Sequence, residues 1–219
     1  MISIQPFSKK LITFTAAALS AFSIFASSIQ ISVEPGKEFK AKRNPQIAIW
    51  LEKSDGTFCQ TLFVTKCASE KSWICSPKAG RPESLPVWYF ASKNNPAKKA
   101  ENSEILDAVT TATPKASINF TRNVELNQNE KYIVKAEINN SFDYNENWPK
   151  KAKKTDGNYS GVNGQPSVVF SSELPASGEI QLKMQGTGSI SGSDGQIYSQ
   201  LDLLTTAKEI IKTIYVNID

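Results

Sequence analysis

The sequence predicts an all-β fold, a two-sheet β-sandwich with one short C-terminal helix. Three observations predict it. Short runs rich in Val, Ile, Thr and aromatics recur along the chain. Gly, Pro, Asp-Gly and Asn-Gly signals separate them, at Pro82, Pro86, Asp156-Gly157, Asn163-Gly164 and Asp194-Gly195. The most regular pair of runs is apolar on both faces, as strands inside a packed sandwich are.

That pair is Pro45-QIAIWLEKSDGTFCQTLFVTK-Cys67. Ser54-Asp55-Gly56 sits between its arms, and the glycine supplies the positive φ a tight hairpin turn requires. Ile47, Ile49 and Leu51 point one way, and Ala48, Trp50 and Glu52 the other. On the second arm Phe58, Leu62 and Val64 alternate with Cys59, Thr61 and Phe63. Further strands are expected at residues 29–33, 87–91, 116–121, 131–139, 167–172 and 178–185. Leu203, Leu204, Ala207, Ile210, Ile211 and Ile214 recur at helical spacing, with Thr205 or Thr206 as cap, and predict the helix. A last short strand at 215–218 follows. No internal repeat is present.

The chain has 219 residues. Its start has the order of a secretory leader: Lys9 and Lys10, an uncharged apolar run from Leu11 to Ala26, then small residues at Ala26, Ser27 and Ser28. The run is shorter than the roughly 20 residues that span a bilayer. The reading is therefore a signal peptide over residues 1–28, cleaved near Ala26–Ser28, and a single domain over 29–219. The mature chain is expected to be periplasmic or secreted, with no stable membrane anchor. Without the two leader lysines, 23 basic residues face 21 acidic ones. That balance gives no basis for nucleic-acid binding, and the run Lys150-Lys-Ala-Lys-Lys154 reads as a solvated loop.

Export permits disulfides. Cys59, Cys67 and Cys75 make an odd set, so one bridge and one spare thiol are expected. Cys67–Cys75 is favoured because residues 68–72 read as a turn, and Cys59–Cys75 across a hairpin stays open. The chain has no histidine. That removes Ser–His–Asp and Cys–His catalysis, and leaves three cysteines without a fourth zinc ligand. Paired carboxylates could run glycoside hydrolysis, but the acids are scattered. No metal site and no catalytic residue are assigned.

Residues 140–165 form a long irregular stretch, NSFDYNENWPKKAKKTDGNYSGVNGQ. Asp143, Asn145 and Asn147 alternate like calcium-loop oxygens, yet Trp148 and Lys154 stand where that loop needs glycine and glutamate. Its aromatics argue against disorder. Either they pin the loop to the sandwich, or Tyr144, Trp148 and Tyr159 form a stacking platform for a glycan or peptide. Asn119, Asn139 and Asn158 head Asn-x-Ser/Thr triplets, which matter only in a eukaryotic secretory pathway.

Several fragments taken in order, PQIAIWLEKSDGTFCQTLFVTK, RPESLPVWYF, LDAVTTATPK, EINNSFDYNENW and SGVNGQPSVVF, resemble the predicted periplasmic proteins called domain of unknown function 2271. The resemblance spans roughly residues 45–170. It implies an exported bacterial β-rich domain and transfers no activity. A local resemblance lies within it. Asp107-x-x-Thr110-x-Ala112-Thr113 looks like the acceptor motif of exported proteins that carry FMN on threonine, Asp-x-x-Ser/Thr-Gly-Ala-Thr. It implies attachment at Thr113, with Asp107 and Thr110 read by the modifying enzyme; separately, aromatics such as Trp88 and Tyr89 could shield the ring. Thr111 stands where that motif has glycine, and a β-branched residue resists the tight turn. The reading is thus an exported non-catalytic binding or accessory module for a protein or glycan partner. Its alternative is a periplasmic electron-transfer protein carrying FMN on Thr113.

Overall fold

The computed structural model describes residues 24–39, 44–66, 68, 81–93, 109–111 and 117–219. Two sheets face each other. The strands are β1 (Ile24–Pro35), β2 (Gln46–Lys53), β3 (Phe58–Thr65), β4 (Val109–Thr111), β5 (Ile118–Asn127), β6 (Tyr132–Asn139), β7 (Val168–Glu173), β8 (Gly178–Gln181), β9 (Lys183–Thr187) and β10 (Ile211–Ile218), and the helix α1 is Pro86–Lys93. One sheet runs β5-β1-β10-β8, the other β4-β3-β2-β6-β7-β9. Every pairing is antiparallel except β3 with β4.

The hairpin forms as read: Gly56 takes φ 86° in the turn. Both its faces are buried, for different reasons. Ile47, Ile49 and Leu51 join Ile29, Ile31, Val134, Ile138, Ile214 and Val216 between the sheets. Ala48 and Trp50 point outward and are covered, with Phe58 and Val64, by Leu85, Val87 and Trp88. The molecule is a sandwich with a third, partial layer. Register shifts in the hairpin between Ile49 and Trp50, and between Leu51 and Glu52, break strict alternation. Leu62 and Phe63 therefore both turn inward, where Phe63 stacks on Phe120.

Three expected elements differ. The strand expected over 87–91 is α1. Pro86 has the fixed φ suited to a first helical position and no amide to satisfy, and tertiary burial overrides the strand preference of Val, Trp, Tyr and Phe. The expected C-terminal helix is two 3-10 turns, Leu201–Leu203 and Thr206–Glu209, followed at once by β10. Neither Thr205 nor Thr206 caps it: Thr206 Oγ1 donates to Asp143 Oδ1 at 2.6 Å, and Thr205 N to Gln165 Oε1 at 2.7 Å. The Ile-rich run is stable as a strand because it pairs with β1 on one side and β8 on the other. The strand expected over 178–185 is split at buried Leu182, whose N–H goes to Ile214 O. Its first half joins one sheet and its second half the other.

Candidate functional site

The outer face of the six-stranded sheet carries the polar groups. On β6, Val134, Ala136 and Ile138 enter the core, which turns Lys135, Glu137 and Asn139 toward α1. On β2, Gln46, Ala48, Trp50 and Glu52 take that side, with Gln46 opposite Asn139 and Ala48 opposite Glu137. Glu137 is completely buried. Its Oε1 accepts Val87 N–H at 3.2 Å and Ser167 Oγ–H at 2.6 Å, and its Oε2 accepts Trp88 N–H at 2.8 Å. These amides open α1 and have no carbonyl partner within it. The carboxylate thus fastens the helix start to the sheet. Burial pushes its pKa up to about 7, against the pull of Ser167, Trp88 N–H and Val87 N–H.

Four further buried oxygens lie on the segments that meet near the helix start. Gln46 donates Nε2 to Ser141 Oγ at 3.0 Å, Asn139 donates Nδ2 to Gln165 O at 3.3 Å, and Asn163 donates Nδ2 to Glu83 O. Gln46 Oε1, Asn139 Oδ1, Asn163 Oδ1 and Ser84 Oγ are buried with no hydrogen-bond partner. The segments PQIAIW, RPESLPVWYF, EINN and GVNGQPSVVF, far apart in sequence, converge here.

Beside this centre lies an open groove of about 860 Å³. Its floor holds Glu52, which accepts Trp50 Nε1–H at 2.6 Å and pairs with Lys135 Nζ at 2.6 Å. Val87, Phe90 and Ala91 of α1 form one wall, Asp55 and Gly56 a second, and Ser193 to Ile197 a third. The Thr57 N–H holds Asp55 below the usual carboxylate range, and the Gln196 N–H does the same for Asp194. Three carboxylates against one ammonium leave the groove acidic, beside the apolar Phe90 and Ile197.

No family model, curated protein or solved structure matches the chain.

The residues singled out from sequence do not converge. Trp148 is buried in the core between the sheets, so its ring offers no stacking face. Asn145 Oδ1 accepts its N–H and that of Asn147. Tyr144 and Tyr159 are half-buried, and Tyr144 lies near the exposed Phe142, ring centroids 6.5 Å apart. The long loop is tied down by Asn145 and Asn147, whose amides both donate to Leu203 O. Cys59 is free and half-buried, and burial pushes its thiol up to about 11. Cys67 and Cys75 lie outside the described residues, as do Asp107, Thr113 and residues 1–23 of the leader.

Thr110 lies on β4, paired in parallel with Val64 at the sheet edge, and Thr111 continues the strand opposite Thr65. An extended strand there is not the glycine turn of the flavin motif. Trp88 is buried, with Nε1 committed to Thr61 Oγ1 at 3.0 Å. Tyr89 packs edge-on to Phe90 with Lys93 over its ring. Trp88 is thus committed elsewhere, while Thr113, the residue the flavin motif would use, lies outside the described residues. Among the described residues no group of three His, Cys, Asp or Glu gathers to hold a metal.

Sequence reasoning missed Glu137 and the Glu52–Lys135 pair. One signal was present: on β2 Glu52 follows the outward Gln46, Ala48 and Trp50, and on β6 the outward Lys135 and Glu137 sit opposite that same strand, so a sheet covered on both sides must bury charges there.

Proposed function

We propose that this chain is an exported, non-catalytic β-sandwich, a binding or accessory module that holds a cationic, partly apolar segment of a partner protein in the groove beside α1. The observation that carries this is the groove's composition. The ion pair of buried Glu52 with half-buried Lys135 lines it, Asp55 and Asp194 give it negative charge, and Phe90 and Ile197 offer apolar contact. Clefts with apolar walls and a few fixed polar groups are where ligands seat, and like-signed carboxylates select a cation. The non-catalytic reading rests on how the buried carboxylates are used: Glu137 holds a helix, and Glu52 holds Trp50 and Lys135. The resemblance to domain of unknown function 2271 and the leader-like start support export.

A peptide and glycan array probed with the mature chain and its Asp194→Asn and Phe90→Ala variants tests this. Basic peptides bearing apolar residues are expected to bind the wild type, to weaken as salt rises, and to lose at least tenfold in each variant. Glycan-only binding, or equal peptide binding by all three proteins, would sink the groove reading. The flavin alternative is tested by mass. From a host that makes flavin transferase the purified chain is expected at its unmodified mass. A yellow product whose added mass disappears in Thr113→Ala would establish the electron-transfer reading instead.

A further inference from the structure

We infer that the buried polar centre at the start of α1 is a cation site, assembled from Gln46, Asn139, Asn163 and Ser84 around the carboxylate of Glu137, and that it takes a calcium-sized divalent ion. The inference is independent of the groove.

The orphaned atoms come first. Gln46, Asn139 and Asn163 are at most 3 % exposed and Ser84 is fully buried, yet each holds an oxygen with no partner. A buried acceptor without a partner is costly, so these oxygens favour a guest that can meet them. Turning the amides over does not remove the need. Each amide nitrogen already donates, to Ser141 Oγ, Gln165 O and Glu83 O. Reversal would set amide oxygens against the carbonyls of Gln165 and Glu83, and leave nitrogens orphaned instead. For the three amides the deficit is of positive charge or donors, whereas the Ser84 hydroxyl can turn its lone pairs toward a cation.

Placement comes second. Gln46 and Asn139 are register partners on β2 and β6, and Asn139 shares the outer face of β6 with Glu137, two residues away. Asn163 reaches the carbonyl of Glu83, the residue before Ser84. Ser167 on the next segment bonds Glu137 itself. One end of the sheet face therefore holds Gln46, Asn139 and Glu137, and the segments carrying Ser84 and Asn163 lie against each other through the Asn163–Glu83 bond beside the start of α1.

Charge comes third. The partners of Glu137 are two amides and a hydroxyl, all neutral. The nearest lysine on its strand, Lys135, is taken by Glu52. A buried carboxylate without a cation, next to surplus neutral oxygens, is the donor set of a hard oxygen-seeking ion. Water would satisfy the oxygens but leave the charge uncompensated. One formal charge among neutral ligands places calcium affinity in the weak range of extracellular modules, on the order of 10⁻⁴–10⁻³ M.

The test uses the whole mature chain stripped of metal with a chelator, then titrated with calcium chloride or magnesium chloride by calorimetry and by thermal melting. Calcium is expected to give saturable heat at one equivalent and to raise the melting temperature, with magnesium at least tenfold weaker. Asn163→Asp, which keeps the shape and adds a charge, should tighten calcium binding about tenfold. Asn139→Leu should abolish it, and Asp194→Asn in the groove should leave it unchanged. A wild type with no saturable calcium heat and no calcium-dependent melting shift overturns the site, whatever the variants do. Loss of binding in Asp194→Asn overturns it equally, because the ion would then sit in the groove.

Discussion

Glu137 sits in a conflict between burial and bonding that sets its behaviour with pH. Its charged form gains three hydrogen bonds, but burial is the larger effect and raises its pKa from the ordinary 4.5 to about 7. An acid whose folded pKa lies above its unfolded one contributes stability that is full below the unfolded value and is lost as pH rises through the folded value. For Glu137 the window runs from about pH 4.5 to about pH 7. A shift of that size corresponds to roughly 3 kcal/mol. Urea unfolding of the metal-stripped chain is therefore expected to show stability falling across this window, and Glu137→Gln to flatten the fall. An unchanged profile in Glu137→Gln would remove Glu137 as its source. The charge of Glu137 was plain in the sequence, but its burial was not. Strand alternation alone places it outward, and it is covered by α1, itself read as a strand, together with Ser167 and Gly188 from distant segments.

At the scale of elements, the fold was legible where local pattern and tertiary environment agree. The β2–β3 hairpin, β6 and β7 combine β-rich residues with turn signals at their ends, and each appears within a residue or two of its expected bounds. α1 was not legible, because its stability is borrowed. Pro86 starts it, Glu137 takes its free amides, and Trp88 locks it to Thr61. The same limit applies to β10, where a helical spacing of isoleucines is overruled by two strand neighbours. How tightly α1 is seated can be tested at Gly188, whose N–H donates to Ser167 O. A Cβ there would lie 2.6 Å from Pro86 Cγ and 2.7 Å from Glu137 Oε1, and would also strike Ser167 Oγ. Gly188→Ala is expected to destabilise by about 1–3 kcal/mol through overpacking. Gly157→Ala, where a Cβ meets nothing within 4 Å, should change stability by less than about 0.5 kcal/mol. Equal melting temperatures for the two variants would mean that the helix start is loosely packed.

For the whole molecule, the expected leader and the first strand overlap, and the pairing pattern shows how both can hold. β1 pairs with β5 from Ile24 to Val33, but its register with β10 begins only at Ile29, opposite Ile218. Cleavage near Ala26–Ser28 would remove residues 24–27 from the β5 edge and leave the β1–β10 ladder whole. Ile29, Ile31 and Val33, which bring β1 into the core, all lie beyond the cut. Ser28 accepts the Asp219 N–H, so a mature chain starting there still closes the end of β10. A chain of residues 28–219 is therefore expected to unfold in one cooperative step, with a melting temperature close to that of a chain retaining residues 24–27. A chain of residues 36–219 lacks the strand between β5 and β10. It should show no cooperative transition, because the four-stranded sheet then loses its middle and the core between the sheets opens to water. N-terminal sequencing of the exported protein should begin at residue 27, 28 or 29. If the 28–219 chain fails to fold while the longer one folds, residues 24–27 belong to the folded domain, and a leader cleaved near Ala26–Ser28 is ruled out.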